Sequence, residues 1–228
     1  VHLVSSLALQ GRGGTASYAA YGQALERWPE VLIAADVPAA HSTWVTEVLM
    51  AFDRFRLLCA VRNGDWGVAG LNRAVEIALE RAGHIRRGGE WYAGRPVMVT
   101  RNDAALGVFN GDIGIALPSA AEGHALRVYF LQGEDLRSVG VTRLAHVETA
   151  FAMTVHKSQG SEFAEVWLLP PLGALEAAED YHRALLYTAI TRAKQCFVYW
   201  GDVSSLQAAS ARHVQRLTVL GHLLQHEH

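Results

Sequence analysis

The sequence predicts an α/β fold whose layer is interrupted by a small all-β insertion. Helical and strand-like patterns alternate as far as Gly83, and short apolar segments separated by turns about every 8–12 residues follow between residues 90 and 146. The α/β pattern returns at Val147. A chain of 228 residues, 50% hydrophobic and 18% charged, is long enough for one large or two small domains and is not intrinsically disordered.

The first 55 residues are predicted to be helical. Ser42 is the expected cap of the last helix in this part, because its short polar side chain precedes apolar residues at helical spacing. Gly83 is expected to end the helix that follows the first strand. The expected elements are helices at Ser17–Glu30, Ser42–Phe55 and Val68–Ala82 and a buried strand at Arg56–Val61.

The insertion is predicted as a small barrel or meander, with turns at Asn110-Gly111 and Gly133-Glu134. Its expected strands are Pro96–Thr100, Asp112–Leu117, Leu126–Leu131 and Leu136–Val141. After it the pattern predicts strands at Val147–Val155, Glu165–Leu169 and Phe197–Trp200, a helix at Asp180–Ala193, and a last helix with capping-box spacing from Ser204.

Charge and cysteine content exclude some classes of protein. Cys59 and Cys196 both lie in apolar runs, which predicts reduced core thiols of a cytoplasmic protein rather than a disulfide scaffold. No apolar run approaches the ~20 residues of a membrane span, and no leader begins at Val1, so no membrane role is expected. The net charge of −2 neither indicates nor excludes nucleic acid. Lys157 and Lys194 are the only lysines among the 20 basic residues.

Two segments imitate nucleotide-binding motifs. Gly11–Thr15 resembles a phosphate loop, but a Walker A motif needs lysine directly after glycine, and neither lysine follows one. Val31–Asp36 imitates a Walker B strand, although no second acidic residue follows Asp36. Both segments are predicted to be structural.

The most informative segment is Thr154–Phe163, where an apolar strand gives way to polar and small residues and then to a second strand. Loops at strand ends of α/β sheets are common ligand sites, and this one offers hydroxyls, an imidazole, an ammonium and free amides near Gly160. Such groups suit phosphate oxygens. The alternative is a solvated loop.

A second segment, Leu185–Lys194, is predicted as a helix with Thr188, Thr191, Arg192 and Lys194 near its C-terminal end. A cation there is favoured by the helix dipole, so on helix grounds alone Arg192 is a surface cap. Aromatic residues Trp91 and Tyr92 could stack on bases, although core packing is the preferred interpretation. No metal site is expected, since the histidines of the tail (His222, His226 and His228) could at best bind metal adventitiously.

These segments together resemble a known family. Thr154–Phe163 and Leu185–Lys194 resemble motifs V and VI of the superfamily one DNA helicases. Gly67–Asn72, Trp91–Asp103 and Phe109–Gly114 resemble segments of the RecD-type subunits, the alpha chains of exodeoxyribonuclease V. The resemblance is close over roughly residues 55–202, much weaker before them and absent in the tail.

The resemblance implies a RecA-like second motor domain, of the P-loop NTPase type, into which an SH3-like barrel is inserted. The motor domain would comprise residues 56–88 and 147–210, the barrel residues 89–146, and residues 1–55 a helical lead-in segment before a tail at 211–228. It also implies a 5′-to-3′ ATP-dependent DNA helicase that works with RecB and RecC on double-strand ends. ATP and Mg²⁺ would be held mainly by a first motor domain, since Walker A and B are missing here.

The resemblance also assigns roles to residues. Arg192 would be the catalytic arginine finger, with Gln159, Gly160 and Glu162 facing the nucleotide. Single-stranded DNA would be contacted by Thr154, His156, Lys157 and Ser158 on the loop and by Asn102 and Asn110 on the barrel. The alternative function is a non-catalytic module that docks protein or nucleic acid and retains remnant helicase motifs. An intact set from Gln159 to Glu162 with Arg192 argues against it, because docking needs no cation for a γ-phosphate.

Overall fold

The computed structural model describes residues 1–11, 16–133, 135–171 and 181–212, which form two sheets and flanking helices. The helices are α1 (His2–Gln10), α2 (Tyr18–Glu26), α3 (Trp28–Leu32), α4 (Val37–Asp53), α5 (Val68–Arg81), α6 (Arg183–Ile190) and α7 (Val203–Ala211). The strands are β1 (Phe55–Cys59), β2 (Arg95–Val99), β3 (Ile113–Pro118), β4 (Leu126–Gln132), β5 (Asp135–Gly140), β6 (Val147–Thr149), β7 (Ala152–Thr154), β8 (Phe163–Leu169) and β9 (Ala193–Tyr199).

The first sheet is parallel, four-stranded and ordered β7-β1-β8-β9. Every residue of β1 is buried, as expected for a strand covered on both faces. Leu57 and Cys59 pack towards the N-terminal helices and α5, whereas Leu58 packs towards α6. Burial raises the pKa of the Cys59 thiol to about 12, in keeping with its prediction as a core residue. The sheet and its two helical layers confirm the α/β prediction.

The second sheet is antiparallel, five-stranded and ordered β5-β4-β3-β2-β6. Strands β2 to β5 fall where the alternating pattern predicted them, and the sheet has a small core of its own that includes Val97, Val128 and Phe130. Gly111, at φ +99°, makes the turn before β3 that the Asn-Gly pair predicted. The all-β insertion is therefore confirmed.

Residues Val147–Val155 do not form the single strand predicted for them. Val147–Thr149 pairs with β2 in the antiparallel sheet, while Ala152–Thr154 pairs with β1 in the parallel sheet. We call Thr149–Ala152 the crossover segment, because the chain passes there from one sheet to the other. Val147–Val155 contains no Gly or Pro, so there was no local sign of this change in the sequence.

The crossover segment is held by side chains from three other elements. Asn72 of α5 donates to the carbonyl oxygens of Thr149 and Ala152, both at 3.0 Å, and its Oδ1 accepts from the Ala152 N–H at 2.9 Å. The Tyr18 hydroxyl donates to the Phe151 carbonyl. These side-chain bonds add to the ladder pairing of Thr149 and Ala152 and satisfy the backbone where it passes between the two sheets.

Arg56 of β1 completes this arrangement from inside the core. Its guanidinium is fully buried between the rings of Phe52 and Phe163, at 4.1 and 4.6 Å from their centroids, and donates to the Ala150 carbonyl at 3.0 Å. Burial lowers the pKa of this guanidinium. The carbonyl groups of all four residues of the crossover segment are thus bonded to side chains.

Helix boundaries differ from the prediction at three places. Helix α4 begins at Val37, because the Asp36 carboxylate accepts from the Ala39 N–H at 3.1 Å, so the Ser42 cap was wrong. Helix α7 is likewise capped by Asp202, whose carboxylate accepts from the Ser205 N–H, and not by Ser204. Helix α6 ends at Ile190, which puts Thr191 and Arg192 in a turn and Lys194 on β9.

The N-terminal helices pack on the parallel sheet through aromatic side chains. Tyr18 contacts Phe52, Phe55 and Phe151, with ring centroids 4.9 to 5.7 Å apart. The helical prediction is confirmed for most of the described residues before Asp53, although α2 and α3 divide the helix predicted at Ser17–Glu30 and Phe55 begins β1. Among the described residues, no helix is both long and apolar enough to cross a membrane.

Candidate functional site

The residues between β7 and β8 cross the whole parallel sheet. Thr154, the last residue of β7, is level with Cys59 at the end of β1, whereas Glu165 of β8 is level with Phe55 at its start. Residues 155–162, which we call the connecting loop, therefore begin at the C-terminal edge of the sheet and finish at its N-terminal edge. The connecting loop therefore reaches both edges of the parallel sheet.

The first half of the connecting loop is a 3₁₀ turn held by its own hydroxyl groups. Thr154 Oγ1 accepts from the Lys157 N–H at 3.4 Å, and Ser158 Oγ donates to the Val155 carbonyl at 2.7 Å. Thr154 and Ser158 are buried, so these two predicted DNA contacts are occupied in shaping the turn. His156 is exposed and Lys157 half-buried, which leaves these two side chains accessible.

Two predicted residues of the antiparallel sheet meet this turn. Lys157 Nζ lies 3.3 Å from the side-chain amide of Asn110, and the Asn110 backbone N–H donates to Oδ1 of Asn102 at 2.7 Å. We call Asn102, Asn110 and Lys157 the polar cluster. Both asparagines are exposed, so the cluster presents an ammonium and two amides on the surface where the sheets adjoin.

The second half of the connecting loop lies beside Arg192. The guanidinium donates to the Ser161 carbonyl at 3.0 Å and to the Thr188 carbonyl at 3.3 Å, and it also contacts the Thr191 hydroxyl. The bond to Thr188 is the helix cap that the sequence favoured. A helix cap does not explain the bond to Ser161, because that bond connects the end of α6 to the connecting loop.

The other predicted nucleotide residues lie in the second half of the connecting loop. Gly160 has φ +89°, a backbone conformation that favours glycine, and Gln159 beside it is exposed. Glu162 lies 3.5 Å from Lys194, and both side chains are more than half exposed. Glu162 therefore follows Ser161, the residue that Arg192 contacts, whereas Gln159 and Gly160 lie along the loop between Ser161 and Lys157.

A groove of about 490 Å³ runs along the connecting loop on the side of the antiparallel sheet. It is lined by the end of α4 and the residue after it (Leu49–Arg54), by Gly111 and Asp112 of the antiparallel sheet, and by Ser161, Glu162 and Lys194. The turn that contains Gly111 and Asp112 and the second half of the connecting loop thus line the same groove. Among the described residues, no three His, Cys, Asp or Glu side chains are placed to hold a metal ion. The three histidines of the tail lie outside the described residues.

One exposed aromatic residue was missed in the sequence. Phe109, next to Asn110, is 51% exposed, whereas Tyr92 is buried with its hydroxyl bonded to Glu76. Trp91 is half-buried and packs against the Arg95 guanidinium at 4.8 Å. The core interpretation of Trp91 and Tyr92 agrees with this packing. The sequence signal for Phe109 was an aromatic residue just before an Asn-Gly turn.

Two family models match the chain, one in each sheet. Residues 149–198 match the UvrD-like helicase C-terminal domain, and residues 71–130 match the SH3 domain of ATP-dependent RecD-like DNA helicases. The second match begins within α5 and ends within β4.

Several curated proteins that are similar to this chain are RecD or RecD2 proteins. The chain is 42% identical over 177 residues to the RecBCD enzyme subunit RecD of Mycobacterium tuberculosis, covering 78% of the chain and 30% of the relative. It is 34% identical to RecD of Haemophilus influenzae (80% and 27%) and 35% identical to the ATP-dependent RecD2 DNA helicase of Deinococcus radiodurans (69% and 21%). The chain spans less than a third of each of these relatives.

Solved structures of Pif1 helicases are distant neighbours. The Bacteroides enzyme with ADP-AlF3 and single-stranded DNA has a TM-score of 0.41 and 16% identity, covering 81% of this chain and 49% of the neighbour. The Candida albicans enzyme has a TM-score of 0.43 and 14% identity, covering 84% and 55%. From the domain matches and curated relatives together, the chain belongs to the RecD-like DNA helicases, of which it carries a UvrD-like helicase C-terminal domain and the SH3 domain.

Proposed function

We propose that this chain is the C-terminal motor half of an ATP-dependent 5′-to-3′ DNA helicase, a RecD subunit that works with RecB and RecC in double-strand-break repair in the cytoplasm. The observation that carries the proposal is the path of the connecting loop. It begins at the polar cluster and finishes at Arg192, so one segment joins a surface suited to DNA with an edge suited to phosphate. The domain boundaries given above belong to the same proposal.

The polar cluster supplies the DNA contacts in this proposal. Lys157 neutralises a phosphate, His156 beside it contacts the DNA backbone, and the amides of Asn102 and Asn110 donate to phosphate oxygens of the same strand. Thr154 and Ser158 act through the shape of the turn, since their hydroxyls are bonded within it. These contacts read no base edges, which suits a protein that moves along any sequence.

The opposite edge supplies charge to ATP hydrolysis. Phosphoryl transfer needs positioning and charge stabilisation more than covalent help, and ATP supplies the transferred group. Arg192 is the arginine finger, with Gln159, Gly160 and Glu162 facing the nucleotide. The N-terminal motor domain of the same protein holds the β-phosphate and Mg²⁺. Arg192 fits this role because its bonds to neutral carbonyls at the protein surface can be exchanged for bonds to phosphate oxygens.

The chain alone should hydrolyse no ATP, because it contains no Walker A segment to cradle the β-phosphate. Steady-state hydrolysis with saturating single-stranded DNA is expected to equal a blank without protein. An Arg192→Ala preparation serves as the matched control for a contaminating ATPase. Hydrolysis that survives repurification and disappears in Arg192→Ala contradicts the half-motor proposal.

The chain alone should bind single-stranded DNA weakly and in a salt-sensitive way. Each neutralised phosphate contributes about −0.7 to the slope of log affinity against log salt, so a few contacts give a slope of about −1 to −3. Lys157→Ala is expected to weaken binding and to make the slope shallower by about 0.7. Fluorescence titration over a range of salt concentrations measures both quantities.

Arg81→Ala is the control for this titration, since it removes an exposed cation from the end of α5. It should change neither affinity nor slope. Should Lys157→Ala behave like this control, the DNA surface lies elsewhere on the chain.

A further inference from the structure

The loop before β3 leaves one of its apolar side chains outside the protein. Leu106 and Val108 are buried in the core of the antiparallel sheet, at 8% and 1% exposure, whereas Phe109 is 51% exposed. A phenyl ring on the surface costs free energy in water, because its apolar area stays hydrated. The position beside the polar cluster suggests what the ring contacts.

Phe109 is exposed but its backbone is firmly tied. Its N–H donates to Oδ2 of Asp112 at 2.8 Å, and its carbonyl accepts from the Asp112 N–H at 3.0 Å. On the far side of the turn, the Gly111 N–H donates to the Val99 carbonyl at 2.8 Å. The ring is therefore presented on an ordered turn, and binding to it costs little additional backbone entropy.

The loop that carries the ring holds cations, amides and two carboxylates, and one of these carboxylates, Asp103, accepts from the Leu106 N–H at 3.0 Å. Asn110, the residue after Phe109, contacts Lys157 Nζ, and Arg101 is exposed at the start of the same loop. The nearby carboxylate of Asp112 is bonded to the Phe109 N–H. An aromatic face next to cations is the arrangement that binds single strands, with phosphates on the cations and bases on the ring. An apolar protein surface would offer no anionic group to Lys157 or Arg101, whereas a nucleic-acid strand offers its phosphates.

We propose that Phe109 stacks on an unpaired nucleobase of the strand whose phosphates contact Lys157. The proposal rests on the proposed DNA-binding role of the polar cluster and adds a base contact to it. Because every base offers a flat face, the stack is tolerant of sequence. The stacked base would hold the DNA strand at a fixed point beside the connecting loop.

The test compares two oligonucleotides of equal length, oligothymidylate and a fully abasic analogue, by fluorescence anisotropy with this chain. Phe109→Ala is expected to lower affinity for oligothymidylate by about tenfold, which is the size of one base–aromatic stack. It should leave affinity for the abasic strand unchanged. Phe109→Trp should retain binding to oligothymidylate, and Phe109→Leu, which is apolar but has no ring face, should not.

Two controls separate this proposal from the one it rests on. Ile33→Ala removes another exposed apolar side chain, 86% exposed at the end of α3, and should change neither affinity. Lys157→Ala should weaken binding of both strands, because it acts on phosphates. If Lys157→Ala has no effect on either strand, the DNA surface itself is wrong.

The stack alone is overturned by any of three results while Lys157→Ala still weakens both strands. The first is that Phe109→Ala weakens binding of the abasic strand as much as binding of oligothymidylate. The second is that Phe109→Ala weakens binding of neither strand. The third is that Phe109→Leu binds oligothymidylate as tightly as the unchanged chain. The second or third result would indicate that the exposed ring binds a protein partner and not a nucleobase.

Discussion

Arg192→Ala, in a full-length protein that contains this chain, is expected to lower the rate of ATP hydrolysis by about a thousandfold or more, because an arginine finger is typically worth 10³–10⁵ in rate. DNA affinity should barely change, since the polar cluster lies at the other end of the connecting loop. Steady-state hydrolysis and DNA titration on one preparation measure the two effects.

Arg192→Lys is the matched variant for this experiment. It keeps the positive charge but loses the planar fork that bonds two phosphate oxygens at once, so it should recover little of the rate. A helix cap predicts a different result, because a cation at a helix end contributes only about 0.3–1 kcal/mol to stability and nothing to chemistry. Near-normal hydrolysis together with a slightly lower melting temperature in Arg192→Ala would falsify the finger assignment.

Asn72→Leu is expected to destabilise the chain by roughly 3 kcal/mol or more. The substitution keeps the size of the side chain but leaves the Thr149 carbonyl and both backbone groups of Ala152 without their partner. Each buried polar group left unsatisfied costs about 1–3 kcal/mol. For a chain of this length, thermal unfolding should show a fall in melting temperature of about 10 °C.

Asn63→Leu provides the control, because it makes the same chemical change at an exposed position in the turn before α5. Its effect should stay within about 0.5 kcal/mol. A loss below about 1 kcal/mol in Asn72→Leu contradicts the role given to this side chain, and means that other contacts suffice to hold the crossover segment.

Most elements could be predicted from the sequence, because their signals are local. The helical spacing of Leu71 and Val75, the turn at Asn110-Gly111 and the alternation of the insertion each depend on a few neighbouring residues. Helix starts were less predictable. Ser42 and Asp36 are both capping residue types, and the choice between them depends on where α4 packs.

The candidate site was predicted in part. Residue types between Thr154 and Glu162 indicated phosphate chemistry by themselves, since hydroxyls, an ammonium and glycine amides are donors wherever the loop lies. Their division into two surfaces was not visible, because it follows from the parallel order β7-β1-β8 and not from spacing along the chain.

The sequence by itself determined the α/β layer, its all-β insertion and the chemical character of the connecting loop. The tertiary structure alone decided where Val147–Val155 changes sheets, which atoms Arg192 and Lys157 contact, and that Phe109 stays outside the core. The physical reason is that each of these outcomes depends on partners far away in sequence. Asn72 holds Ala152 across 80 residues, Lys157 reaches Asn110 across 47, and Arg192 reaches Ser161 across 31. No local pattern carries information about a hydrogen bond whose partner is brought near only by the packing of two sheets.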